Sequence, residues 1–386
     1  MRLLMISGDR QVTVGERGPF HALQREFSRY FERIDVLCPR PTGPVNVRTI
    51  FERVHFHPAD CGRSKMVAYL VRKGEELIAE HGHALIVSHD YGWFYNGLAS
   101  AKLTKRTGVP YLSEIHHVPG HPIAADWRER FDRRIARAYV RWATPRAKAF
   151  RVVNSVEMPA LLKRWGVPDE KIVVLSSLYI DLDLFRPAMA GERAFDQDVL
   201  FVGRLVANKG LERIVDALAG LDARGQPLTA LFVGRGPLSK SIAERVRKRG
   251  LSERVRFREW VDTPAELALI YRRSRLVVCA STCEGGPRFT VEAMACGTPV
   301  VSTKVGVMGE LLTRGDNGVL VGFDVDSLAQ GMGELLGDET RRMAFGLQGH
   351  ADAQRFEYAS TIRAYAAGLH RLAGEELPEP SPRASA

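Results

Sequence analysis

A short apolar run, a glycine-rich turn, a helical stretch and a second apolar run follow one another between Leu276 and Thr303, and that order permits few folds. Leu276-Val277-Val278-Cys279 is the length of a buried strand, and Pro299-Val300-Val301-Ser302-Thr303 reads the same way. Between them 290–296 reads as a helix, stopped by Gly297 and Pro299. A βαβ unit of this kind belongs to a parallel sheet. It places the turn from Cys283 to Phe289 at the carboxyl edge, where open α/β sheets bind ligands. Two carboxylates bracket the turn, Glu284 before the helix and Glu292 within it. A helix start suits a phosphate, and flanking carboxylates accept hydrogen bonds from sugar hydroxyls. Phosphate plus polyol describes a nucleotide sugar. The plainer alternative makes Glu284 a helix cap and Glu292 a solvated helix residue.

The rest of the chain repeats the alternation twice over. In the first half the sequence predicts strands at 3–7, 34–38, 54–57, 84–88, 111–115 and 150–153, and helices at 19–30, 64–80, 93–105, 125–148 and 157–165. The segment 179–196 reads as a linker. A second alternation starts at Val199-Leu200-Phe201-Val202-Gly203 and runs through 230–234, 255–257, 276–279, 300–303 and 319–321. At 386 residues the chain exceeds one typical domain. The expectation is an α/β protein of two doubly wound, Rossmann-like domains facing across a cleft, 1–185 and 186–352. A helix at 353–373 follows, and the Pro-, Glu- and Ser-rich tail 374–386 is expected to be disordered.

The net charge of +10 fits nucleic acid, an anionic membrane surface or a phosphate-bearing substrate. No nucleic-acid motif or basic tail supports the first. One basic helix, 125–148, keeps the second open: it crowds Arg128, Arg130, Arg133, Arg134, Arg137, Arg141, Arg146 and Lys148 beside Trp127, Phe131, Ile135, Tyr139 and Trp142. That stripe is either a core-facing side or a peripheral membrane contact. Nothing approaches a transmembrane span, and the opening run is too short for a signal peptide. The five cysteines show no pairing or metal spacing. A cytoplasmic protein, peripheral on the inner face of the membrane if that helix docks there, is the expectation.

Two further loops fall at the same sheet edge. Gly203-Arg204-Leu205-Val206-Ala207-Asn208-Lys209-Gly210 follows the first strand of the second half, and its Arg204 and Lys209 can clamp a diphosphate or simply be solvated. Val233-Gly234-Arg235-Gly236-Pro237 repeats the arrangement one strand later. With these loops, Tyr271, and Glu292-Ala293-Met294-Ala295 running on to Gly297, Pro299 and Val300, the second half resembles the retaining GT-B glycosyltransferases, in particular glycosyltransferase family 4 (group 1). The resemblance is specific over about 198–336.

It implies a retaining hexosyltransferase that takes a UDP- or GDP-linked sugar to a glycan, lipid-linked or small hydroxyl acceptor, without metal or other cofactor. By the resemblance, Arg204 and Lys209 neutralise the leaving diphosphate, Glu284 binds hydroxyls of the transferred sugar, and Glu292 binds the ribose. Gly203, Gly234 and the segment Gly285, Gly286, Pro287, Arg288, Phe289 and Thr290 line the donor, and Trp260 with Val261 frames the base. In the first half Gly18 belongs to a loop facing the cleft, and His116 matches a histidine that the family places near the donor sugar. The last helix is expected to cross back to the first domain.

The chain departs from the pattern where Gly286 holds an aromatic position and Pro287 a glycine position; Pro287 has no N–H to donate, and Arg288 is the expected substitute contact. Glu259 or Trp260 stands where a glycine is common. Asp181-Leu182-Asp183 looks like a metal-binding pair of other glycosyltransferases, but it falls in the interdomain segment and is rejected as such. His116-His117 lacks the carboxylate or cysteine spacing of a metal site. Two alternatives to transfer stay open: a GT-B nucleotide-sugar epimerase and a non-catalytic sugar-nucleotide-binding protein.

Overall fold

The structure, a computed structural model, describes residues 1–188, 194–312 and 314–382. The first sheet contains β1 (Arg2–Ile6), β2 (Arg33–Cys38), β3 (Thr49–Ile50), β4 (Val54–Pro58), β5 (Leu85–His89), β6 (Tyr111–Glu114), β7 (Ala149–Val152) and β8 (Ile172–Val174). Its order is β3-β4-β2-β1-β5-β6-β7-β8. The second contains β9 (Gln197–Val202), β10 (Ala230–Val233), β11 (Val255–Arg258), β12 (Ser274–Cys279), β13 (Val300–Thr303) and β14 (Gly318–Val321), in the order β11-β10-β9-β12-β13-β14. Among the described residues every named pairing is parallel except that of β3 with β4.

Parallel strands carry helices on both faces, so their side chains are buried on both. In β1 all four residues from Leu3 to Ile6 are buried, and β13 is buried throughout. Each sheet reverses its winding once, between β1 and β5 and again between β9 and β12. Ligand crevices open at the carboxyl ends of such pairs. The loops after β9 and β12 are two of the three that the sequence marks out.

The chain leaves the first domain through a buried segment at Leu178, Ile180 and Phe185, and returns beside it. The Ile180 amide donates to the Phe356 carbonyl at 2.7 Å. Helix Tyr358–Ala373 then lies in the core of the first domain, where Ile362, Tyr365, Ala366 and Leu369 pack with Leu3 and Phe27.

Two expectations change. The basic helix is shorter than 125–148: it runs Trp127–Ala143, with Asp126 accepting the Glu129 amide as its N-cap. The tail is laid down as far as residue 382: Ser381 accepts from Arg29 through its carbonyl at 2.8 Å and from Arg53 through its hydroxyl at 2.7 Å, and Leu377 packs on the first domain's core. Two arginines and one apolar residue hold a segment whose composition alone reads as disordered. Residues 383–386, and 189–193 of the expected linker, lie outside the described residues.

Candidate functional site

The glycine-rich loops at the edge of the second sheet are stapled together by backbone contacts. Gly203 donates to the Val233 carbonyl at 2.9 Å, and Leu205 to that of Arg235 at 3.0 Å. Gly234, at φ 139, lies so close beneath Gly203 that a Cβ would meet the Gly203 carbonyl oxygen at 1.9 Å. Only glycine fits. Across the winding reversal, Thr282 donates to the Asn208 carbonyl at 2.8 Å and the Asn208 side chain to that of Cys283 at 3.0 Å. The loop after β9 is thereby tied to the loop after β12.

This brings Lys209 and Glu284 into an ion pair, with the Ser281 hydroxyl donating to the same carboxylate oxygen at 2.9 Å. Both side chains are mostly buried. Arg204, on the same loop, is exposed and forms no ion pair among the described residues. Glu292 is buried and doubly held: Arg288 donates Nε–H to Oε1 at 2.7 Å, and Tyr271 donates its hydroxyl to Oε2 at 3.0 Å. The solvated alternative for Glu292 therefore fails. Phe289 packs on Phe201, and the Thr290 hydroxyl donates to the Pro287 carbonyl at 2.6 Å, closing the first turn of helix Arg288–Ala295. Trp260 is exposed at the end of β11, with the Arg235 guanidinium 5.5 Å from its ring and Val261 beside it.

The first domain meets this edge at one lip of the cleft. The His116 carbonyl lies against Gly285, where a Cβ would stand 2.3 Å from it. The Cys283 thiol donates to the Val118 carbonyl at 3.0 Å, and Asn154 to that of Gly285 at 3.3 Å. Glu310 accepts from the Ser155 amide and hydroxyl at 2.7 and 2.6 Å. Glu157 accepts the Gly306 amide at 2.9 Å; burial pushes its pKa up to about 7, that hydrogen bond offsetting part of the rise.

A cavity of about 740 Å³ opens from this lip into the first domain. Its walls include Phe20, His89, Asp90, Glu114, His116, Tyr179, Tyr365 and, from the second domain, Arg288. The Arg288 guanidinium sits 5.0 Å from the Tyr179 ring, so the residue expected to replace the Pro287 amide stands between the two halves. Burial alone would raise Glu114, but Arg151, with His89 and His116, outweighs it and holds the carboxyl well below its ordinary range. Glu114 Oε1 takes Arg151 at 2.9 Å and Tyr365 at 2.6 Å, while Oε2 has no hydrogen bond and lies 3.6 Å from His116 Nε2. Asp90 is different. Buried among the hydroxyls of Ser88, Ser113 and Tyr139, with no cation in contact among the described residues, it is pushed up to about 7.

Of the residues singled out in the sequence, Gly203, Arg204, Lys209, Gly234, Glu284, Gly285, Gly286, Pro287, Arg288, Phe289, Thr290 and Glu292 share the edge of the second sheet, and His116 reaches it from the first. Gly18 lies apart, as the N-cap of helix Pro19–Phe27, whose Pro19 and Phe20 border the cavity. Asp90, Glu114 and Arg151 were missed; for Glu114 and Arg151 an acid or arginine inside an apolar strand run is the signal that finds such residues, whereas Asp90, just past β5, carries none. Among the described residues no group of three His, Cys, Asp or Glu side chains is placed to hold a metal ion.

Comparison with known proteins matches residues 190–351 to the model of the group 1 glycosyltransferases and residues 20–177 to a glycosyltransferase 4-like domain. The chain is 32% identical to a D-inositol 3-phosphate glycosyltransferase of Nocardia farcinica over 59% of its own length, and spans only 55% of that relative. It is 30% identical to D-inositol 3-phosphate glycosyltransferase 2 of Catenulispora acidiphila, over 75% of this chain and 71% of the relative. Its fold is similar to that of Anabaena HepE, solved in complex with UDP and glucose, with a TM-score of 0.74 at 22% identity over 96% of this chain and 100% of the other.

Proposed function

Since this chain belongs to the group 1 glycosyltransferases, we propose that it moves a hexose or related sugar from a UDP- or GDP-linked donor to an acceptor hydroxyl, with retention at the anomeric carbon. The observation that carries this reading is the tying of the Arg204–Lys209 loop to the Glu284 loop across the winding reversal of the second sheet. Negative charge grows on the diphosphate as its bond to the sugar breaks, so fixed cations stabilise the transition state more than the bound donor. Glu284 faces sugar hydroxyls and Glu292 the ribose. The acceptor, a glycan, a lipid-linked sugar or a small polyol, occupies the cavity of the first domain. D-inositol 3-phosphate, in the names of the relatives, is the first to assay.

The acceptor oxygen bonds to the anomeric carbon on the face the diphosphate leaves, and the departing phosphate oxygen takes the acceptor's proton. Side chains suffice for the leaving group, so transfer should survive EDTA. The test is thermal stabilisation by UDP, GDP and ADP of wild type and Arg204→Ala, followed by the anomeric configuration of the product. A ligand at about 100 times its Kd stabilises by roughly 2.7 kcal/mol, an obvious shift. Stabilisation by one nucleotide that Arg204→Ala removes supports the clamp, and an inverted product overturns retention. If no nucleotide stabilises the protein, donor use is refuted.

A further inference from the structure

Helix Trp127–Ala143 divides its residues in a way its sequence does not announce. Ala136, Tyr139, Val140 and Ala143 are buried against the first domain. The opposite face presents Trp127, Phe131, Arg134 and Arg141, with Arg130 and Arg137 on its flank, all exposed. Trp127 is 70% exposed and Phe131 47%. Trp93, on the loop after β5, is 69% exposed and reaches the same spot, its ring 6.5 Å from that of Phe131. Large aromatics gathered from two elements and left in water mark a contact surface. Among the described residues, none of Arg128, Arg130, Arg134, Arg137 and Arg141 pairs with a carboxylate. The face is about 25 Å long, aromatic at one end and cationic along the rest.

We propose that this face docks on an anionic bilayer. Tryptophan and phenylalanine settle at the headgroup level, and uncompensated arginines meet the negative lipid surface. No helix of the described chain is long and apolar enough to cross a membrane, so the contact is peripheral. Nucleic acid would use the arginines but gives no reason for a Trp–Trp–Phe cluster at one end. The position of the face adds a consequence that rests on the transferase reading: Trp93 lies between Tyr91 and Phe94, both of which line the cavity. Docking would set the cavity mouth at the lipid surface, where a lipid-linked acceptor is presented.

The experiment uses the full chain with vesicles of phosphatidylcholine, alone or mixed with phosphatidylglycerol, read by co-sedimentation and tryptophan emission. Binding to the anionic vesicles only, weakening with salt and with a blue shift, is expected. The combined Trp93→Ala, Trp127→Ala and Phe131→Ala variant should lose the blue shift and most binding. Arg134→Glu with Arg141→Glu should lower partitioning by at least about fivefold per arginine. Both variants should keep the wild-type melting temperature and nucleotide stabilisation, which reads the transferase proposal separately. Failure to bind anionic vesicles at low salt overturns the inference. So does binding that neither variant changes, or tighter binding to a short duplex oligonucleotide under the same conditions.

Discussion

The two halves of the cleft differ in how one carboxylate is held. On the donor side, Glu284 and Glu292 are each matched to a cation, Lys209 and Arg288. On the first domain's side, Glu114 is likewise kept ionised by a buried arginine, but Asp90 meets only hydroxyls among the described residues and sits near 7. Under the proposed transfer, the difference fits what each side would receive. A nucleotide diphosphate brings its own negative charge, so the donor side needs cations on solvent-reachable loops with carboxylates to hold them in place. The reacting hydroxyl of an acceptor is neutral whatever else the acceptor carries, so its neighbours can be groups buried in the first domain, such as the Asp90 carboxyl and the hydroxyls around it.

The largest test of that contrast is at Asp90. Its folded pKa lies above the unfolded value, so its contribution to stability is complete below about pH 4 and is lost as pH rises through about 7. The loss amounts to roughly 4 kcal/mol over that window. His89, which burial pulls down to about 4, acts in the opposite sense between about 4 and 6.5, so the informative quantity is a difference. Urea midpoints of wild type and Asp90→Asn, compared at pH 4.5 and 7.5, should show the variant gaining on wild type as pH rises. A gap that does not move with pH breaks the contrast from the acceptor side.

Lys209→Ala breaks it from the donor side. With the cation removed, transfer should fall about 10²–10³-fold, mainly in kcat, and nucleotide stabilisation should shrink. An unchanged kcat would mean that Lys209 only supports Glu284. The smallest effect is expected at the lip where the halves meet. Glu310→Ala removes hydrogen bonds to Ser155 and Val156 on an exposed surface. The donor KM should rise by about threefold with kcat little changed. A large fall in kcat would show that the lip does more than hold the domains together.

Much of the fold was legible because parallel-sheet strands are buried on both faces and read as apolar runs between helical stretches. The donor loops were legible for a related reason. Close backbone approach demands glycine at Gly234, and the charged residues of one loop are neighbours in sequence. The cavity of the first domain was not legible: Phe20, Asp90, Glu114, Arg151 and Tyr365 come from separate elements, and no short motif holds them together. The aromatic stripe on the basic helix could not be assigned to core or surface from sequence for a geometric reason. Steps of four residues advance about 40° around a helix, so a stripe from Trp127 through Phe131 and Ile135 to Tyr139 drifts from solvent to core.

The sequence by itself determined two parallel α/β sheets, the place of the glycine turns, and the cations and carboxylates carried on them, because each depends on local periodicity or on neighbours in the chain. Only the tertiary structure decided which carboxylate meets which cation, which face of the basic helix stays in water, and how the two sheets share a cleft. Those outcomes depend on contacts between segments far apart in the chain, where burial and charge are fixed by whatever element packs alongside.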